Sequence, residues 1–134
     1  MRYLLDSNAA SDYIFRRKGV RERAMQARAS GAKIGIGVPV VAELLGGIEY
    51  SGSREKNLDI VNRHLPYFRI WPLTVEAARI YGRLFAETRR VGHTMQTMDL
   101  LIASIALALG NCTVVSTDSD MRAIPELAVE DWTA

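Results

Sequence analysis

The sequence predicts a three-layer α/β/α sandwich around a parallel sheet, and three observations predict it. Short apolar runs suited to strands alternate with helix-like stretches of about ten residues or more. That alternation implies βαβ units with right-handed crossovers, which bury a parallel sheet between helices. Acidic residues also fall directly after strand-like runs, at Asp6 and Asp118, where open parallel sheets place their ligand sites.

Taken in order, Tyr3-Leu4-Leu5 is a first strand ending at Asp6. Ser7-Asn8 then offers capping oxygens for a helix running through Asp12-Tyr13-Ile14-Phe15. Gly19 and Ser30-Gly31 bracket a second helix. Lys33 to Val38 reads as the next strand, and Pro39 suits the first turn of the helix that carries Glu43. A further helix is expected from Arg54 to Leu65 and a brief strand at Phe68-Arg69-Ile70. The spacing of Val75, Ala78, Ile80, Tyr81, Leu84 and Phe85 predicts an amphipathic helix from Thr74 to Val91. Leu100 to Leu109 is apolar on every side, which predicts a buried helix ended by Gly110. The β-branched run Thr113-Val114-Val115 predicts a strand leading to Ser116-Thr117-Asp118, and Leu127-Ala128-Val129 a last short one.

A chain of 134 residues suits one domain. It contains no repeat, low-complexity tract or dividing linker. At 49% hydrophobic and 24% charged it has an ordinary globular composition, and no apolar stretch is both long and charge-free enough to span a bilayer. The opening residues lack a secretory apolar region and the single cysteine, Cys112, forms no internal disulfide, so a cytoplasmic location is expected. Net charge is only +2, which excludes a strongly basic architectural nucleic-acid binder. The basic residues are nonetheless uneven. Arg16, Arg17, Lys18, Arg21, Arg23 and Arg28 crowd one segment, and Arg89-Arg90 form a later pair. Arginine's planar fork suits phosphate oxygens, which makes Arg16, Arg17 and Lys18 candidate nucleic-acid phosphate contacts. The same run also reads as a solvated face.

Four acids carry the chemistry. Asp6 and Asp118 follow strands, Glu43 lies one turn into the helix after the second strand, and Asp99 starts the buried helix. All four are expected at one sheet edge. Each also has an ordinary explanation as a cap, a dipole partner, a turn former or a solvated side chain. Asp6, Glu43 and Asp99 are, however, embedded in apolar stretches, where lone acids are rarely left unpaired. Clustered carboxylates repel unless a cation compensates, and an all-oxygen set without Cys or His suits Mg²⁺ or Mn²⁺ rather than zinc.

Four segments in this order resemble one family. Leu5-Asp6-Ser7-Asn8, Val41-Ala42-Glu43-Leu44 with Gly46-Gly47, Met98-Asp99-Leu100-Leu101-Ile102-Ala103, and Val115-Ser116-Thr117-Asp118-Ser119-Asp120 together resemble a PIN domain, specifically the VapC-type toxins of toxin–antitoxin pairs. The resemblance covers nearly the whole chain. It implies a metal-dependent endoribonuclease that hydrolyses RNA phosphodiester bonds, with Asp6, Glu43 and Asp99 as core catalytic and metal-binding acids and Asp118 as a fourth. It further implies that Ser116 orients these acids, that Asn8 has a structural part, and that the partners are RNA, a second copy in a homodimer, and a small antitoxin. Departures are Met121, where an aromatic residue is common, and Gly35, Gly37 and Pro39, where hydroxyl residues are often seen. Such replacements remove hydrogen bonds from the expected substrate groove. Asp120 is an extra acid near the site.

Two alternatives stand beside this reading. One is a PIN-like binding module without activity. The other is a receiver-like phosphoacceptor domain, against which no adjacent acidic pair follows the first strand. His64 and His93 lack zinc-protease spacing, and no nucleophile elbow or phosphate loop is present. Cys112 is expected as a buried small hydrophobe, the five methionines as core filler, and Trp71 and Trp132 as packing residues. Tyr13, Phe15 and Tyr50 are expected in the core.

Overall fold

The computed structural model describes residues 1–134. Strand β1 (Arg2–Leu5) leads directly into α1 (Ser7–Ile14). The cap of α1 is Asp6 rather than Ser7 or Asn8: its carboxylate accepts from the Ala9 N–H at 2.8 Å. Helix α2 (Val20–Ala29) starts after Gly19, whose φ of +73° reverses the chain without a Cβ clash. Strand β2 (Lys33–Gly37) runs straight into α3 (Val38–Tyr50), with Pro39 in the first turn as expected. Helix α4 (Arg54–His64) and a single 3₁₀ turn (Leu65–Tyr67) precede β3 (Arg69–Trp71). Thr74 caps α5 (Val75–Arg90), accepting from the Ala77 N–H at 3.1 Å. Helix α6 (Thr97–Leu109) begins one turn earlier than its apolar run, so Asp99 sits inside its first turn. Strand β4 (Cys112–Val115), a four-residue helix α7 (Ser119–Arg122) and β5 (Ala128–Glu130) complete the chain. The pattern did not foretell α7; its cap is Asp118, which accepts from the Asp120 N–H at 2.9 Å.

All strands are parallel, in the order β3-β2-β1-β4-β5. The chain moves outward from the central β1 to β2 and β3, then returns to the other side of β1 for β4 and β5. Strand order therefore reverses between β1 and β4, and the crevice at their carboxyl ends is where open α/β sheets bind ligands. A receiver-like domain has a different order, with its third strand beside the first, and this sheet excludes that alternative.

Helices cover the sheet in a three-layer arrangement around one hydrophobic cluster that includes Leu4, Leu5, Ile34, Ile36, Val114 and Val115. The expected burial of α6 holds for Leu100 and for Ile102 to Ala106, while Leu101 and its last turn are half-buried. No helix is long and apolar enough to cross a membrane. Gly35 and Gly37 are explained by packing. A Cβ on Gly35 would lie 2.5 Å from the Arg69 carbonyl oxygen and 2.7 Å from the Trp71 ring, and one on Gly37 would lie 2.8 Å from Ile105 Cδ1. Neighbouring atoms already fill the space a hydroxyl side chain would need.

Some packing expectations need correction. Tyr13 is buried and Phe15 half-buried, but Tyr50 at the end of α3 is 96% exposed. Met95 and Met121 fill the core, whereas Met1 and Met25 are exposed. Trp132 is buried against Tyr3, with ring centroids 5.0 Å apart. Cys112 is half-buried, and burial raises its thiol pKa to about 11, as befits an inert packing residue.

Candidate active site

The parallel register sets Leu5 opposite Val115, so the residues after β1 and β4 emerge side by side. Asp6 donates its backbone N–H to the Val115 carbonyl at 3.1 Å, which ties the two strand ends together. Ser116 is buried; its N–H donates to the Glu130 carbonyl at 3.0 Å and its Oγ accepts from the Asp118 N–H at 3.0 Å. The Ser116 hydroxyl also hydrogen-bonds the Asp6 carboxylate. Ser116 therefore sits between the two acids, against the Asp6 carboxylate and the Asp118 backbone.

Asp6, Glu43, Asp99 and Asp118 line a single cavity of about 260 Å³, with Ser7, Asn8, Gln96 and Met98 as its other walls. The four elements that carry the acids start or end at the β1–β4 crevice, and this brings them together. Their burial differs. Asp6 is buried, Asp99 and Asp118 are half-buried, and Glu43 is exposed on α3. The apolar residues around Glu43 in sequence therefore do not bury it, because a helix turns its polar positions to solvent. Asn8 is exposed too and takes no side-chain bond within the chain, so the expected structural part gives way to a position on the cavity wall.

Burial raises the pKa of Asp6, against the hydrogen bonds from Ser116 and Ala9; Asp118 and Asp12 raise it further. Burial first, then the charge and hydrogen bond of Asp118, then Asp6 and Asp120, push Asp99 up to about 6. Mutual repulsion of this kind is relieved when a cation binds among the carboxylates. As the side chains stand, no three His, Cys, Asp or Glu residues are gathered closely enough to enclose an ion. The donor set still fits a hard divalent cation that keeps part of its water shell: carboxylate oxygens, the Asn8 and Gln96 amides, and no thiolate or imidazole on the cavity wall. Ser7 Oγ adds a further oxygen. It is buried without a hydrogen-bond partner, which is rare for a hydroxyl and calls for a water or ion-bound water beside it. The sequence marks Ser7 only as a capping oxygen, although its place between Asp6 and Asn8 also points to the site.

The basic segment divides by what each side chain touches. Arg21 donates to the Tyr13 and Ile14 carbonyls at 3.0 and 2.8 Å, and Arg28 to the Tyr13 hydroxyl at 2.7 Å, so both serve the fold. Arg16 lies 3.6 Å from Glu22 and is well exposed. Arg17 and Lys18 line a second cavity, which shares Asp6 and Asn8 with the acidic one. Asp120 accepts a contact from His93 Nε2 at 2.8 Å.

Comparison with known proteins follows this geometry. The chain is 29% identical over 132 residues to ribonuclease VapC2 of Rickettsia felis, covering 98% of each chain. It is 26% identical over 133 residues to the tRNA(fMet)-specific endonuclease VapC of Salmonella typhimurium, again covering 98% of each. Among solved structures, VapBC2 from Rickettsia felis bound to a DNA fragment from its promoter superposes with a TM-score of 0.91 at 29% identity, over 98% of this chain and 99% of that one. Residues 3–127 match the PIN domain. The crevice acids stand on a fold that superposes on a solved structure over nearly its whole length, and the chain belongs to the PIN domain family.

Proposed function

We propose that this chain is a Mg²⁺- or Mn²⁺-dependent endoribonuclease that hydrolyses RNA phosphodiester bonds, and that it is the toxin of a toxin–antitoxin pair. The convergence of Asp6, Glu43, Asp99 and Asp118 on one cavity at the switch point carries the reading. Relatives named as a ribonuclease and a tRNA-specific endonuclease support the choice of RNA, and likeness to a VapBC complex supports a small antitoxin partner. A homodimer and a cytoplasmic site of action complete the proposal. An inactive binding module fits less well, because the four acids are all retained.

A bound divalent ion supplies a water of lowered pKa and neutralises charge on the phosphoryl oxygens. Asp6, Glu43 and Asp99 would hold it directly or through water, with Asp118 available for a second. The chain's own contribution is positioning. The Asp6 backbone N–H is tied to Val115 and its carboxylate accepts from the Ala9 N–H with Ser116 beside it, so the side chain is positioned before any substrate arrives. Asp99 in the ion-free site keeps a proton up to about pH 6 and shares a hydrogen bond with Asp118. Asp99 and Asp118 would give up that shared proton on taking a divalent ion, so metal affinity would rise with pH through this range. No covalent enzyme intermediate is needed. Incubating the purified chain with tRNA, with Mg²⁺ or Mn²⁺ and with EDTA, tests the proposal; cleavage that persists in EDTA would overturn it.

A further inference from the structure

The second cavity, about 240 Å³, lies against the acidic one and shares Asp6 and Asn8 with it. Its volume is below the roughly 300–1,000 Å³ of sites for drug-sized ligands, so it takes a phosphate and part of its nucleotide with the rest left in solvent. Its walls are mostly polar, with Ser11 and Asp12 from α1, Thr117 beyond β4, and Arg17 and Lys18 from the turn between α1 and α2. An apolar ligand has little to bind there.

The two cations are placed with unusual care. Arg17 Nε donates to Asp12 Oδ1 at 3.1 Å and its Nη2 to Ser11 Oγ at 2.6 Å, and neither bond uses Nη1. The Arg17 backbone N–H donates to the Asp12 carbonyl at 2.7 Å. On either side, Arg16 and Lys18 adopt left-handed backbone angles, φ +54° and +58°, which side-chain-bearing residues rarely accept. Strain of this kind persists only where surrounding contacts enforce it, and it concentrates at functional sites. Here it accompanies a guanidinium fixed by its ion pair with Asp12 and an exposed, unpaired Lys18 ammonium, on a wall that also carries Asp6. A polyanion laid across the ends of β1 and β4 meets repulsion at the carboxylates and attraction one step away.

Resting on the nuclease reading, we propose that this cavity is a nucleotide subsite, in which Arg17 and Lys18 hold the phosphate adjoining the one that is cut. The shared wall at Asp6 favours a nucleic acid over an acidic segment of a protein partner, because the neighbour of a phosphate held at the acids must lie within one nucleotide of them. The subsite draws affinity from the unreacting part of the substrate, which positions the scissile bond.

Trp132 lines this cavity and also a neighbouring one that holds Glu130, to which its indole N–H donates at 3.1 Å, so its NMR signal reports on both and the Lys18 variant below assigns a shift to this one. The test titrates ¹⁵N-labelled protein in EDTA with adenosine and guanosine 5′-monophosphate, inorganic phosphate, and a tetraglutamate peptide, with Trp71→Phe assigning the two indole peaks. Nucleotides are expected to move the Trp132 peak saturably and further than phosphate does. Lys18→Gln, at an exposed position that leaves the remaining spectrum unchanged, should abolish most of the shift, and Lys18→Arg should restore it. In turnover with tRNA, Lys18→Gln should raise KM far more than it lowers kcat, and should flatten the salt dependence of binding by about 0.7 in the log–log slope. No nucleotide shift, or a shift indifferent to Lys18→Gln, would overturn the proposal. A response to peptide alone would also overturn it and assign the cavity to a protein. The NMR arm needs no turnover, so absent cleavage with an intact nucleotide shift would fault the nuclease reading and leave the subsite standing.

Discussion

Asp99→Asn is expected to stabilise the ion-free protein while destroying its chemistry. Burial and the nearby Asp118, Asp6 and Asp120 hold the Asp99 carboxyl at about 6, above its ordinary 3.8. A carboxyl whose pKa is raised in the folded state binds its proton more tightly there than in the unfolded chain. The Asp99 contribution to stability is therefore greatest at low pH, falls as pH rises from about 4 to about 6, and stays reduced above that. The full shift corresponds to about 3 kcal/mol. Because Asp99 is only half-buried, solvent screening reduces the cost to about 1 kcal/mol. Asparagine removes the charge, keeps the shape and still donates to Asp118. In EDTA at pH 8 the variant should melt about 3–5 °C above wild type, given the entropy of unfolding of a domain this size. At pH 4 the two should melt together. Thermal melts followed by circular dichroism across that range decide the matter, and a variant less stable than wild type at pH 8 would refute the electrostatic reasoning.

Other perturbations follow from the same structure. Mg²⁺ or Mn²⁺ at about one hundred times its Kd should stabilise wild type by about 2.7 kcal/mol, an effect that Asp6→Asn should largely remove; calorimetric melts at graded metal would show it. Gly35→Ala forces a Cβ to within 2.5 Å of the Arg69 carbonyl oxygen and should cost about 1–3 kcal/mol, read as a lower urea midpoint at unchanged slope. A small antitoxin that inhibits by inserting an arginine or lysine among Asp6, Glu43 and Asp99 should rescue growth on co-expression and compete with Mn²⁺. Tight binding that leaves cleavage intact would exclude that mode.

Much of the fold was legible because strand and helix differ in period, and the acids were legible because parallel sheets put chemistry at strand ends. What escaped the sequence depends on contacts between distant segments. Asp6 read as either a cap or a site acid; that it is both at once requires β4 alongside β1. Glu43 sits among apolar neighbours yet faces solvent, because helical rotation rather than neighbour identity decides burial. Gly35 and Gly37 read as lost hydroxyls until Arg69, Trp71 and Ile105 were seen to fill the space. The basic cluster behaved similarly. Charge alone did not separate Arg21 and Arg28, which hold Tyr13 and its neighbours, from Arg17 and Lys18, which face the cavity. The helix at Ser119–Arg122 was too short for any periodic signal.

The central claim is that the four acids form a metal-dependent nuclease centre, and single-turnover cleavage of tRNA by wild type and Asp99→Asn tests it most directly. With Mn²⁺ or Mg²⁺ present, wild type should cut and Asp99→Asn, still folded, should be slower by orders of magnitude. EDTA should reduce wild type to the same level. Equal cleavage by the two proteins would contradict the account.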